Sequence, residues 1–403
     1  MSKKIVVTGM GMISAIGLSI DEAFDSLMNE KSGIDAIKYL NTVHKNDFLL
    51  GEVKLSNEAL FEKLEISQTE SKKHTRTSLL ALSAAREAVA NSGFESENWN
   101  SKRVGIISAT SVGGMDKTEL NYGERNFSSG FLKTHLSGDS TDVVADDLNI
   151  NHYRTTLSTA CSSAANAVMH GARLIKQGII EVAVVGGVDP LSKFTLNGFN
   201  SLMILDREWC KPFDADRKGL NLGEAAAFLV IESEESALER GATVLANLSG
   251  YANSNDAYHQ TASSPEGEGA TISMSKALKM SGLSPDDIDY INVHGTGTNN
   301  NDLSEGVAMK RVFGENIPPF SSTKSYTGHT LGAAAAVEAV ISILSMRNSV
   351  IFPNLNFSKT IEELNKSPVT EVKKELKISH VLSNSFGFGG NNSTLIFSNN
   401  SQK

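Results

Sequence analysis

The sequence has very little cysteine: Cys161 and Cys210 are the only two in 403 residues. Two thiols cannot build a disulfide framework, and a reducing cytosol suits such a chain better than an oxidising compartment. No Cys-x-x-Cys pair occurs, which argues against a cysteine-ligated structural metal. Proline is scarce as well, with 8 scattered residues and no Pro- or Ser-rich stretch to mark a linker. A bilayer-spanning apolar run is missing. The longest apolar helix pattern, Leu331 to Leu344, is interrupted by Glu338 and is too short. The apolar stretch from Ile5 to Ile20 follows Lys3 and Lys4, but no clean small-residue cleavage site comes after it, so it does not read as an export signal. Basic charge is not in excess. Lys and Arg number 37 against 46 Asp and Glu, a net charge of −9, which argues against nucleic acid as the main partner while leaving room for a local basic patch.

Strand and helix patterns alternate, the mark of α/β layering. Val6-Val7-Thr8-Gly9-Met10-Gly11 reads as a strand running into a glycine turn. Strands are also expected at Arg103–Ser108, Glu181–Val185 and Ala226–Ile231, with helices at Thr77–Ala90, Ala164–Lys176 and Glu234–Arg240. The pattern begins again near residue 245. Ala246–Tyr251, Asp289–Val293, Val381–Ser383 and Thr394–Phe397 read as strands, and Gly269–Ser281 and Leu331–Met346 as helices. Two similar halves, 1–245 and 246–403, are expected. Lys45–Leu64 and Glu119–Thr141 are weakly periodic and read as irregular surface or interface segments.

Four stretches could carry chemistry. In Ser158-Thr159-Ala160-Cys161-Ser162-Ser163 a β-prone stretch meets small residues and then a helix. Cys161 is thereby set on a turn at a helix N-terminus, where a thiol pKa is lowered. A buried, inert thiol fits that stretch alone equally well. In Val293-His294-Gly295-Thr296-Gly297-Thr298 a strand ends at a histidine and a Gly/Thr loop, at the sheet edge where α/β folds bind ligands. In Lys324-Ser325-Tyr326-Thr327-Gly328-His329 a histidine precedes an Ala-rich helix whose N-terminus disfavours the imidazolium. Glu338 on that helix could pair with Lys324. Asn384-Ser385-Phe386-Gly387-Phe388-Gly389-Gly390 is a glycine loop whose amides could face an oxyanion. Singly, each is equally a turn, a cap or a hairpin connection. Together they suggest acyl transfer through a thioester.

These four segments, in this order, resemble the anchors of the β-ketoacyl–acyl-carrier-protein synthases, the elongating members of the thiolase superfamily. The resemblance runs from Val6 to the Phe388 loop. It implies a thiolase-like five-layered α-β-α-β-α sandwich built from two similar halves, the first carrying the nucleophile and the second the two histidines and a gating loop. It implies decarboxylative Claisen condensation of an acyl group held on Cys161 with a malonyl group on acyl-carrier protein, needing no cofactor and no metal. By the same resemblance His294 and His329 bind the malonyl thioester, Lys324 orders the site with Glu338, and Phe388 gates it while its N–H and that of Cys161 form the oxyanion hole. Thr296 and Thr298 match pantetheine contacts, Phe386 and Glu338 are placed with them among the substrate-binding residues, and Val112 matches a position that tunes pocket depth. The family is dimeric. A homodimer is implied, or a heterodimer in which this chain is the active subunit beside a chain-length factor.

The family's carrier protein is acidic, so Lys72, Lys73, Arg76, Arg207 and Lys211 are expected to dock it. Departures from the family pattern are present too. Asn391 stands where threonine is usual, Asn299 where proline is common, and Ala225 and Ala227 replace glycines. The stretch Phe127 to Thr141 is polar where family members are more apolar, which suits a synthase of a polyene or polyketide pathway as well as one of fatty-acid synthesis. A thiolase would need a second cysteine as base, and the only other thiol, Cys210, sits beside Trp209 outside the motifs.

Overall fold

In this computed structural model the residues described are 3–94, 96–122 and 133–400. Ten strands pair through one extended sheet. The first half supplies β1 (Ile5–Ser14), β2 (Val104–Ala109), β3 (Tyr153–Leu157), β4 (Val182–Asp189) and β5 (Ala225–Ser233). The second supplies β6 (Ala246–Asn255), β7 (Tyr290–Asn292), β8 (Phe320–Ser321), β9 (His380–Gly387) and β10 (Asn391–Ser398).

The two sets repeat one topology. Their orders are β3-β2-β4-β5-β1 and β8-β7-β9-β10-β6. In each, the strands in second, third and fourth sequence position run parallel, while the fifth is antiparallel to both its neighbours. The sets meet at a short antiparallel seam, Val6 against Asn247 and Val7 against Ala246.

Six helices make the layers that bear on the site: α1 (Arg76–Asn91), α2 (Ser163–Lys176), α3 (Lys193–Ser201), α4 (Glu268–Ser281), α5 (Asn299–Phe313) and α6 (Ala334–Asn348). α1 covers the outer face of the first set and α4 that of the second, while α2 and α6 pack against each other and against strands of both sets. The result is the five-layered thiolase-like sandwich. The layering explains the composition of the strands. β4 and β5 are covered on both faces, so they read as near-continuous apolar runs rather than alternating ones. α6 has no solvent face, and Ala334–Met346 are all buried. Against the expectation of a run too short to span, Leu331–Asn348 is long and apolar enough to cross a bilayer by length and composition, but 89% of it lies inside the protein, as a core helix.

Three further expectations change. β1 does not stop at a glycine turn but continues to Ser14. Its glycines let α1 approach instead: a Cβ on Gly11 would lie 2.1 Å from the Ala84 carbonyl oxygen. Lys45–Leu64 is not wholly irregular, since Asn57–Lys63 is a helix capped by the Ser56 hydroxyl. Within Glu119–Thr141, residues 123–132 lie outside the described residues, and Asp139 begins a helix running to Asp147.

Candidate active site

The parallel strands of each set point their C-terminal ends at the same region, and every chemistry-bearing turn follows such an end. Cys161 follows β3 and leads into α2. His294 follows β7, His329 stands between β8 and α6, and the Phe388 turn joins β9 to β10.

The turn before α2 is tight. Ala160 has φ +52°, a left-handed conformation that a residue with a Cβ seldom adopts. Ser163 holds it there by accepting the Thr159 N–H at 2.8 Å and donating to the Ala160 carbonyl at 2.5 Å. Cys161 is buried with its Sγ 3.0 Å from His329 Nε2. The backbone N–H groups of Phe388 and of Cys161 itself lie close enough to that sulfur to favour its thiolate. Burial pushes the thiol up to about 11, outweighing the Lys324 ammonium and those amides, which pull it down. The expected lowering at a helix N-terminus is therefore corrected: desolvation dominates, and the resting thiol keeps its proton.

His294 and His329 meet edge to face, ring centroids 5.3 Å apart. Burial and the Lys324 charge hold both imidazoles well below the ordinary histidine range, and His329 adds to the effect on His294. Both are neutral. Lys324 Nζ donates to the His294 carbonyl at 2.5 Å, lies 3.3 Å from His294 Nδ1, and is paired with Glu338. A lysine at Nδ1 leaves the His294 proton on Nε2. Ser385 donates to the other Glu338 oxygen at 3.3 Å. The Phe386 ring packs 5.8 Å from that of His294.

A cavity of about 250 Å³ opens onto this group, lined among others by Cys161, Phe199, His294, Thr296, Thr298, His329, Phe386 and Phe388. Thr296 and Thr298 face each other with hydroxyls 2.9 Å apart. Phe388 lies stacked on Phe199 of α3, centroids 5.7 Å apart. Lys324 and Glu338 stand behind the cavity wall, so Glu338 acts on the site through Lys324 rather than by touching substrate, a correction to its expected place among the binding residues. Val112 also lies outside this lining. Its N–H is bound at 3.2 Å by Asp189. The donor atoms of Cys161, His294 and His329 all lie within 4.8 Å of one another and could ligate a soft metal. The Lys324 ammonium against His294 opposes a second cation there.

The docking candidates divide. Lys73 is exposed and pairs with Glu70 at 3.3 Å, Arg207 is exposed with its guanidinium over the Phe48 ring, and Lys211 is half-buried beside the Gly297 loop. The Lys72 side chain lies outside the described residues. Arg76 is not a docking cation. It is buried, clamped on both oxygens of Glu224 at 2.8 and 2.6 Å.

Four residues escaped the sequence reading. Glu305 accepts the His294 and Gly295 N–H groups, both at 2.9 Å, and burial raises it to about 7. Asp302 accepts the Thr296 N–H at 3.0 Å. Asp189 holds Thr110 at 2.6 Å and Gly332 N–H at 2.6 Å, so one carboxyl ties the turn after β2 to the start of the α6 segment. Phe199 meets Phe388. The spacing of Asp302 and Glu305, one turn apart just after the Gly/Thr loop, was a usable signal. Phe199 left none, because only the fold brings it to Phe388.

The fold and this site together define a condensing acyltransferase of the thiolase-like class. Residues 2–237 match the family model "Beta-ketoacyl synthase, N-terminal domain" and residues 245–358 match "Beta-ketoacyl synthase, C-terminal domain". A 3-oxoacyl-[acyl-carrier-protein] synthase 2 of Staphylococcus aureus is 34% identical, with 98% of each chain covered. Among solved structures, the ishigamide ketosynthase/chain length factor superposes with a TM-score of 0.92 at 30% identity over 99% of both chains. A ketosynthase from Xenorhabdus doucetiae, solved in complex with its chain length factor, gives 0.83 at 32% identity over 98% of both. The chain belongs to the β-ketoacyl synthase family.

Proposed function

We propose that this chain transfers an acyl group from acyl-carrier protein to Cys161 and condenses it with malonyl–acyl-carrier protein, giving β-ketoacyl–acyl-carrier protein and CO2. The observation that carries the reading is the 3.0 Å approach of His329 Nε2 to the Cys161 sulfur, with neutral His294 beside both.

The thiol at rest is protonated, so its proton passes to His329 Nε2 as sulfur attacks the acyl thioester. The tetrahedral oxyanion is held by the Cys161 and Phe388 amides, each worth ~3 kcal/mol in such a site. The carrier thiolate leaves with the proton returned by His329, and the acyl group stays on sulfur. Malonyl-carrier then enters past Thr296 and Thr298. His294 presents Nε2–H to the thioester oxygen, with His329 neutral again beside it, so loss of CO2 leaves an enolate on a neutral hydrogen-bond donor rather than on a buried positive charge. The enolate carbon attacks the Cys161 thioester, the carbon–sulfur bond breaks, and the expelled cysteine thiolate takes a proton from solvent to restore the resting thiol. The stacked Phe388 and Phe199 rings close the acyl side until the chain enters. No step calls for redox or metal chemistry.

Intact-mass spectrometry after incubation with a panel of acyl-carrier thioesters tests this. A single acyl adduct is expected, lost in Cys161→Ala; an adduct that survives the substitution would reject the assignment.

A second reading concerns the assembly and pathway. Likeness to ketosynthases solved with chain length factors favours this chain as the active half of a heterodimer, and the polar stretch Phe127 to Thr141 suits a polyene or polyketide pathway as well as fatty-acid synthesis. A homodimer is the alternative, and light scattering on the isolated chain separates them. A preference for saturated over unsaturated or aryl carrier thioesters would count against the specialised pathway. Lys72, Lys73, Arg207 and Lys211 dock the acidic carrier, and the enzyme works in the cytoplasm.

A further inference from the structure

The Phe388 turn is anchored at its far end. Asn391 follows it and opens β10, and its Oδ1 accepts three hydrogen bonds: the Ser162 hydroxyl at 2.6 Å, the Asn166 amide at 3.0 Å and the Asn253 amide at 2.8 Å. Ser162 is the residue after the nucleophile. Asn166 lies one turn further along α2, and Asn253 is on β6. The donors are themselves tied together. Asn253 also donates to Asn166 Oδ1 at 3.0 Å, and Asn166 donates to Thr159 Oγ1 at 2.9 Å. One acceptor atom therefore joins the nucleophile turn, its helix, a strand of the other half and the end of the Phe388 loop.

The two amides that would hold the oxyanion come from different halves of the fold. The Cys161 N–H belongs to the turn after β3, and the Phe388 N–H to the loop after β9. Their separation depends on how that loop seats on that turn. The approach is close at the near end, where a Cβ on Gly387 would come 3.0 Å from the Thr159 oxygen and 3.1 Å from the Cys161 nitrogen. At the far end the chain reverses through Gly389 and Gly390, at φ +80° and +77°. Glycine backbone is soft, so the position of the Phe388 amide needs a fixed point beyond it. Asn391 Oδ1 supplies one, bonded to the residue next to the sulfur. An oxyanion site works by donors set in place beforehand, and a displacement of about 1 Å can cost on the order of 10²-fold in rate.

We propose that Asn391 is a positioning residue: its Oδ1 keeps the Phe388 and Cys161 amides in register for the acyl oxyanion without touching the acyl group. The proposal rests on the reading of Cys161 as the acylated nucleophile.

The test compares two reactions of the same sulfur. Acylation by an acyl-carrier thioester passes through an oxyanion, whereas alkylation by iodoacetamide does not, yet both need a folded, accessible thiol. In Asn391→Ala the acylation rate is expected to fall at least about tenfold while alkylation stays within about twofold of the parent enzyme. Asn391→Asp keeps an acceptor for the same three donors and is expected to acylate within about threefold of the parent. Equal acylation in Asn391→Ala, an equal slowing of both reactions, or an Asn391→Asp as slow as the alanine variant would each overturn the proposal. If Asn391→Ala does not fold, Ser162→Ala removes the shortest of the three bonds from the other side and must give the same split between the two reactions, or the proposal fails. A parent enzyme that alkylates but never acylates would sink the underlying reading, and this one with it; unchanged acylation in a folded Asn391→Ala sinks this one alone.

Discussion

His329 Nε2 stands 3.0 Å from Cys161 Sγ, and the two residues occupy equivalent places in the two halves of the fold. Each follows the third strand of its set, β3 or β8, and each precedes a helix of the central layer, α2 or α6. Each turn contains a non-glycine residue in the left-handed region, Ala160 at φ +52° and Leu331 at φ +50°.

Removing the acceptor isolates its role. His329→Ala should slow acylation of Cys161 by about 10²-fold or more, the usual worth of a positioned general base. Stopped-flow or quenched-mass kinetics on a carrier thioester would read it. The loss should narrow as pH rises toward the Cys161 value of about 11, where the sulfur ionises without help.

The Lys324–Glu338 pair is buried on both sides, so breaking it strands a charge. Glu338→Leu or Lys324→Met alone should cost about 3–5 kcal/mol of unfolding free energy, and the double variant less than the sum. Denaturant titration of the four proteins measures the coupling.

Glu305 gives a pH signature. Burial raises it from an ordinary 4.5 to about 7. Between those values the folded chain binds a proton that the unfolded chain has released. Its contribution to stability is thus complete below 4.5 and is lost as pH rises through about 7. Glu305→Gln removes this titration. Relative to the variant, the parent should lose on the order of a few kcal/mol across that window, visible as a difference in melting temperature against pH.

Arg76 and the surface cations should separate cleanly. Charge reversal at Lys73, Arg207 and Lys211 together should weaken binding of an acidic carrier protein, most at low salt. Arg76→Met should instead destabilise the fold by roughly 3–5 kcal/mol, because it leaves Glu224 buried and unpaired, and should not change the salt dependence of carrier binding. Calorimetric titration at two ionic strengths distinguishes the two effects.

Much of this site was legible because its reactive residue types sit at strand–helix junctions, and such junctions mark themselves with small residues and glycines. Cys161, His294, His329 and the Phe388 loop stand out for that reason. Supporting acids do not. Asp189, Asp302 and Glu305 serve backbone N–H groups, and a carboxylate that caps a loop leaves no periodicity. Arg76 misled for the opposite reason. Next to Lys72 and Lys73 it reads as part of a basic surface, yet its partner Glu224 lies 148 residues away in sequence. The thiol misled as well, because position at a helix start is visible in sequence and depth of burial is not. The strands β1, β4 and β5 were readable as apolar runs, but the use of glycine within β1 to admit a helix needs the third dimension.

The seam between the sets consists of two paired positions, Val6 with Asn247 and Val7 with Ala246. The sulfur hangs from one side of that seam and both imidazoles from the other, so the gap across which the proton travels is a gauge of how the two sets lie against each other. Substitutions in the shared middle helices, far from any substrate atom, would then register as altered chemistry before they register as unfolding.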